Sequence, residues 1–205
     1  MNLFFDLDGT LLDSKPRLYH LFQHLVPSSS FTFDEYWQLK KDKINHRTIL
    51  IKHFNYSENE IDQFEREWMT KIEHPDWLKF DKPIKGVTDF LKELKADHNI
   101  YLVTARQFEY VLLNEIKQYG WDALFTGIFV TAQKSQKHEL IERGVVTSNK
   151  DWFIGDTGKD IETGKVLGIR TAAVLTGFLN RVRLSEYSPD IIADSVLEIE
   201  FNKQG

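Results

Sequence analysis

The sequence predicts an α/β protein: a parallel sheet covered by helices, interrupted near its start by an all-helical insert. Three observations predict it. From Pro83 onward, short apolar runs alternate with amphipathic stretches, the rhythm of a parallel sheet covered on both faces. Residues 15 to about 80 break that rhythm and carry helical spacing only. The first apolar run, Leu3 to Phe5, ends in two carboxylates one residue apart, Asp6 and Asp8, and then in Gly9-Thr10. Open α/β sheets place their sites at the carboxyl ends of such strands.

Leu3 to Phe5 is the first strand. In an extended chain residues i and i+2 share a face, so Asp6 and Asp8 are expected to face one spot. Two close carboxylates raise each other's pKa, and a divalent cation or a shared proton relieves the repulsion. The ordinary alternative is a surface Asp-Gly turn. In the insert, Leu18, Leu21, Phe22 and Leu25 follow helical spacing. Thr32-x-x-Glu35 and Ser57-x-x-Glu60 match capping boxes that open two more helices. Trp37, Phe64 and Trp68 are candidates for the interior of this unit. His20 and His24, at i and i+4, lack a neighbouring acid in a metal-binding pattern and are assigned to surface or core. The cluster Lys40, Lys41, Lys43, His46 and Arg47 is the insert's best candidate for substrate contact, against an ordinary solvated face.

After Gly86 an amphipathic stretch, Asp89 to Lys95, carries Phe90, Leu91 and Leu94 on one face. A strand over Ile100 to Val103 ends in Thr104-Ala105-Arg106. A helix is predicted over roughly Gln107 to Tyr119, stopped by Gly120. Ile128 to Val130 is the next strand and His138 to Arg143 a short helix. Trp152 to Ile154 is a strand that ends in Gly155-Asp156, with Asp160 four residues on. A helix from Ile161 to Leu167 stops at Gly168. Thr171 to Leu175 and Ile191 to Ala193 complete the sheet.

Composition narrows the function. The 205 residues suit one large domain, or a core with a smaller insert, and 41% hydrophobic with 28% charged residues is ordinary for a globular protein. The net charge of −5 argues against a general nucleic-acid binder, which needs a basic footprint. Small anionic substrates remain compatible with it. The absence of cysteine excludes disulfides and thiolate sites. No apolar run approaches the roughly 18 residues of a membrane span, and Asp6 and Asp8 interrupt the only candidate leader. A cytoplasmic protein with no membrane partner is expected. Oligomeric state is not legible.

Phe5-Asp6-Leu7-Asp8-Gly9-Thr10 after an apolar strand resembles the first motif of the haloacid dehalogenase-like hydrolases. The other motifs follow in order. Thr104 resembles the second. Lys134 and Lys137 both precede the next helix, and Lys137 with Leu140 and Ile141 is the better match to Lys-x-x-apolar-apolar. Gly155-Asp156 with Asp160 resembles the fourth. The resemblance implies a Rossmann-like core over residues 1–14 and 81–205 and a helical C1-type cap over 15–80. It further implies a Mg2+-dependent phosphatase of a small phosphorylated metabolite. Asp6 is then the nucleophile that forms an aspartyl-phosphate, and Asp8 the general acid and then base. Asp6, the Asp8 backbone carbonyl, Asp156 and Asp160 are the expected Mg2+ ligands. Thr104 and Lys137 are expected to hold phosphoryl oxygens, and Thr10, Ala105 and Arg106 to line the substrate site. For Arg106, pairing with a carboxylate is an equal alternative.

Asp8 favours phosphoryl transfer over dehalogenation, because a departing halide needs no proton. Gly164-Lys165 lacks the spacing of a phosphate-binding loop. A phosphomutase, a phosphonatase using an insert lysine, and a non-hydrolytic phospho-Asp switch stay open, as does the identity of the substrate.

Overall fold

The computed structural model describes residues 1–201, so the last four residues of the core expected over 81–205 lie outside the described residues. The chain begins with β1 (Asn2–Phe5) and a two-residue strand, β2 (Leu12–Asp13). Five helices follow: α1 (Lys15–Leu25), α2 (Phe33–Lys41), α3 (His46–Phe54), α4 (Glu58–Lys71) and α5 (Pro75–Leu78). After β3 (Lys82–Pro83) helices and strands alternate: α6 (Val87–Asp97), β4 (Asn99–Thr104), α7 (Glu109–Gln118), β5 (Gly127–Val130) and α8 (Lys137–Gly144). Then come β6 (Trp152–Gly155), α9 (Gly158–Val166), β7 (Arg170–Val174), α10 (Arg181–Ser185), β8 (Ile191–Ala193) and a 3-10 turn (Val196–Glu198).

Six strands form one parallel sheet in the order β5-β4-β1-β6-β7-β8. β1 is central, and its Leu3, Phe4 and Phe5 are fully buried, as an apolar strand covered on both faces requires. Alternation divides the core. Leu3, Phe5, Leu102 and Ile154 join Leu91, Ile116 and Trp121 on one face. Phe4, Val103 and Phe153 join Ile141 and Ile169 on the other. The chain builds outward from β1 through β4 to β5, then returns to β1's other edge with β6. β1 is therefore where the strand order reverses, and the loops leaving β1, β4 and β6 meet at one crevice.

The insert has its own aromatic interior, with Phe22, Tyr36, Trp37 and Phe64 packed around Ile49, Leu50 and Ile61. Capping boxes at Thr32 and Ser57 open α2 and α4. β2 and β3 pair antiparallel, Leu12 opposite Pro83 and Asp13 opposite Lys82, so the chain enters and leaves the insert side by side. Two residues are too few to carry a periodic signal, and this ribbon is not legible in the sequence. His20 stacks on Phe80 with ring centroids 4.3 Å apart, and His24 lies 5.1 Å from the Trp77 ring. Among the described residues, no helix is long and apolar enough to cross a membrane.

Two helix starts differ from expectation for identifiable reasons. α9 starts at Gly158, ahead of Ile161, because Thr157 and Asp160 form a capping box. α7 starts at Glu109, later than Gln107, because the Glu73 carboxylate accepts the backbone N–H groups of Gln107 at 2.7 Å and Phe108 at 3.2 Å. Glu73 is buried and ties the end of α4 to the loop after β4. Replacing it by alanine strands two N–H groups. Glu73→Ala is expected to lower the free energy of unfolding by about 1.5–3 kcal/mol in a urea titration.

Candidate active site

The loop after β1 is wound tightly: the N–H groups of Thr10, Leu11 and Leu12 all donate to the Leu7 carbonyl. Gly9 has φ +82°, and a Cβ there would lie 2.5 Å from Asp156 Oδ2. A Cβ on Gly177 would lie 1.9 Å from the same oxygen. Two glycines thus let backbone close around the Asp156 carboxylate, whose Oδ2 accepts the Phe178 N–H at 2.7 Å. Its Oδ1 is buried with no hydrogen-bond partner.

Carboxylate oxygens of Asp6, Asp156 and Asp160 lie within 4.8 Å of one another. Lys137, at the start of α8, puts Nζ 2.5 Å from Asp6 Oδ1 and 2.6 Å from Asp160 Oδ1. Lys134 is exposed in the preceding turn. Asp160 Oδ2 accepts from the Thr157 N–H and hydroxyl, and the Thr10 hydroxyl reaches Asp6 Oδ2 at 3.5 Å. One lysine does not balance three buried carboxylates. Burial pushes Asp6 up to about 7 despite Lys137. Burial and the charges of Asp6 and Asp160 raise Asp156 well above the usual carboxylate range. For Lys137 burial alone would favour the neutral amine, and Asp160 and Asp6 outweigh it and raise its pKa. An orphaned carboxylate oxygen, hard oxygen donors and a shortage of positive charge fit a Mg2+ ion.

Asp8 faces different partners. Its Oδ2 accepts from Arg106 Nε at 2.6 Å, and its Oδ1 accepts from Arg106 Nη2 at 2.9 Å and Arg17 Nη2 at 2.6 Å. Burial would raise its pKa, but Arg106 and then Arg17 hold it well below the usual range. Behind the arginines, Asp81 lies 3.2 Å from Arg17 Nε and 3.1 Å from Arg106 Nη2, and Glu115 lies 3.3 Å from Arg106 Nη2. Burial pushes Asp81 up to about 8 and raises Glu115 as well. Asp6 and Asp8 line one cavity of about 270 Å³ without sharing a partner. The two residues therefore face one cavity, as expected, but with separate partners, because β1 ends at Phe5 and both belong to the loop rather than to the strand.

Thr104 is buried, and its hydroxyl accepts the Arg106 N–H at 3.3 Å. Ala105 lines the cavity beside Arg106. The basic cluster of the insert is a correction. Lys43 bonds the Tyr187 hydroxyl at 2.6 Å, Arg47 pairs with Glu58, and the His46 ring packs into the insert's aromatic interior. None of Lys40, Lys41, Lys43, His46 and Arg47 lines the cavity. The insert instead contributes Arg17, Leu18, Trp68, Met69, Ile72 and Glu73. Arg17 was not singled out from the sequence. Its one signal was a cation in the first turn of a helix with no acid there, against the helix dipole.

Residues 3–174 match the family described as haloacid dehalogenase-like hydrolase. The chain belongs to that family. It is 25% identical over 212 residues to Phosphoglycolate phosphatase 1 of Pseudomonas aeruginosa, covering 95% of this chain and 76% of that one. It is 25% identical over 211 residues to Pyrophosphatase PpaX of Listeria monocytogenes serotype 4a, covering 96% and 93%. Among solved structures, a haloacid dehalogenase-like family hydrolase from Streptococcus pneumoniae superposes with a TM-score of 0.77 at 21% identity, covering 96% of this chain and 95% of that one.

In this haloacid dehalogenase-like site the raised carboxyls make stability depend on pH. Unfolded, Asp6 and Asp156 ionise near pH 4. Folded, Asp6 keeps its proton to about pH 7, so the unfolded state binds fewer protons between these values. Without divalent cations, this contribution to stability falls as pH rises from about 4 to about 7. Asp8 acts with the opposite sign, its contribution being lost only as pH falls below about 4. Mg2+ requires deprotonated carboxylates. Thermal melts are therefore expected to show a larger Mg2+-induced rise in Tm at pH 8 than at pH 5.

Proposed function

We propose that the protein is a Mg2+-dependent phosphomonoester hydrolase of a small phosphorylated metabolite, acting through an aspartyl-phosphate on Asp6. One observation carries this reading: Asp6, held by Lys137, lies within 4.8 Å of the carboxylates of Asp156 and Asp160, at the cavity that Asp8 also lines. The relatives named phosphoglycolate phosphatase and pyrophosphatase support a small phosphate-bearing substrate. Helices α1–α5 are assigned as a cap over residues 15–80, with the core over 1–14 and 81–205.

Asp6 would attack phosphorus in line, its Oδ–P bond forming as the ester P–O bond breaks. The departing oxygen takes a proton from Asp8 and leaves as an alcohol. In the second half a water gives its proton to Asp8 and attacks phosphorus. The Asp6–phosphorus bond breaks, inorganic phosphate leaves, and Asp6 returns as a carboxylate with Asp8 protonated. Lys137 offsets the repulsion between Asp6 and a phosphate dianion. The Thr10 hydroxyl orients the Asp6 carboxylate, and Thr104, Lys137 and Ala105 are assigned to the phosphoryl group. Asp6, the Asp8 carbonyl, Asp156 and Asp160 would hold Mg2+, which when bound neutralises developing phosphoryl charge. Arginine pairing keeps Asp8 ionised, which suits the base of the second half. The acid of the first half needs Asp8 free of its arginines. A phosphonatase loses support, because no lysine of the insert lines the cavity.

The test is phosphate release from a panel of small phosphomonoesters, with Mg2+ and with EDTA. Release that requires Mg2+ and falls by at least about 10³-fold in Asp6→Asn is the expected outcome. A stable phosphoryl group on Asp6 without phosphate release would move the assignment to a phospho-Asp switch. Asp156→Asn is expected to abolish the Mg2+-induced rise in Tm, read by the same thermal melts.

A further inference from the structure

Two guanidinium groups converge on one carboxylate at the wall of the cavity. Asp8 takes three charge-assisted bonds of 2.9 Å or less from Arg17 and Arg106. The planar fork of a guanidinium is the geometry that binds carboxylates and phosphates. Both forks are fixed from behind, Arg17 by Asp81 and Arg106 by Asp81 and Glu115. Both residues line the cavity that Asp6 also lines. The seat also has donor capacity to spare, since Arg106 Nη1 is buried without a hydrogen-bond partner. Helix stability does not explain Arg17, because a cation in the first turn of α1 opposes the dipole.

At about 270 Å³ the cavity suits a molecule of a few heavy atoms, and a phosphoryl group at Asp6 would place the rest of such a molecule near the arginines. We propose that Arg17 and Arg106 form a seat for a second anionic group of the substrate, and that the Asp8 carboxylate fills that seat in the free protein. This rests on the phosphatase reading and narrows it. The substrate is a small phosphoester bearing a carboxylate or a second phosphoryl group close to the first. Its second anion takes the guanidinium forks and frees Asp8 to turn toward the leaving oxygen. Arg17 is then a specificity residue carried by the insert.

Three non-hydrolysable probes test the seat by calorimetry in the presence of Mg2+: ethylphosphonate, phosphonoacetate and methylenediphosphonate. The native protein is expected to bind at least one of the two probes that carry a second anionic group more tightly than ethylphosphonate by at least about tenfold. Whichever is preferred identifies the second group as carboxylate or phosphoryl. In Arg17→Gln the ratio is expected to collapse toward one. Arg17→Lys keeps the charge but not the fork, and is expected to lose most of the ratio, so it decides the matter where Arg17→Gln does not fold. Equal affinities in the native protein, or a ratio that survives both substitutions, would overturn the seat. A merely structural Arg17 would weaken all three probes together and leave the ratio intact. Phosphate release from the ester panel is scored separately. Hydrolysis without any preference for a second anion sinks the seat and leaves the phosphatase. A preserved probe ratio that Arg17 variants abolish, with no ester hydrolysed, sinks the phosphatase and leaves the seat.

Discussion

Lys137 stands between Asp6 and Asp160, and the rest of the site is arranged around the charge this single cation leaves uncompensated. A buried carboxylate is tolerated only with a partner, a proton or a cation. Asp160 has Lys137 and the Thr157 cap, and Asp6 has Lys137 and Thr10. Asp156 has one backbone N–H for two oxygens. The site is therefore built with a deficit of positive charge, and closing that deficit couples protonation and stability in one place.

The sheet makes this crowding possible. Only at the strand where the order reverses do three loops, after β1, β4 and β6, converge from both sides. Glycines at 9 and 177 let the backbone press against Asp156. Gly155 does the same for Asp160, where a Cβ would fall 2.3 Å from Cγ. At these positions small side chains create the site by staying out of it.

Much of this was legible. The apolar run before Asp6, the alternation after Pro83 and the capping boxes at Thr32 and Ser57 are local patterns, and local patterns survive folding. The choice between Lys134 and Lys137 rested on the spacing to Leu140 and Ile141, a helical-face argument of the same local kind. What stayed hidden depends on long-range placement. Arg17 and Arg106, far apart in the chain, come together only by sharing Asp8 and Asp81. Asp81 and Glu115 become visible only once both arginines are buried beside them. The basic cluster from Lys40 to Arg47 was conspicuous by composition, yet composition does not say which side of a helical unit faces a cavity. Asp160 was expected as a ligand, and its capping of α9 was not legible, although one carboxylate has oxygens enough for both.

The short ribbon of β2 and β3 has an architectural consequence. Because Leu12 lies opposite Pro83, the six-stranded sheet is topologically complete without the intervening helices, whose removal would leave two neighbouring chain ends. The helical unit is in that sense an interchangeable part. Asp6, Lys137, Asp156 and Asp160 stay with the sheet, whereas Arg17, Trp68 and Ile72 travel with the helices. Under the proposed function, bond breaking and the recognition of the substrate's second anion would thus sit on separable stretches of one chain.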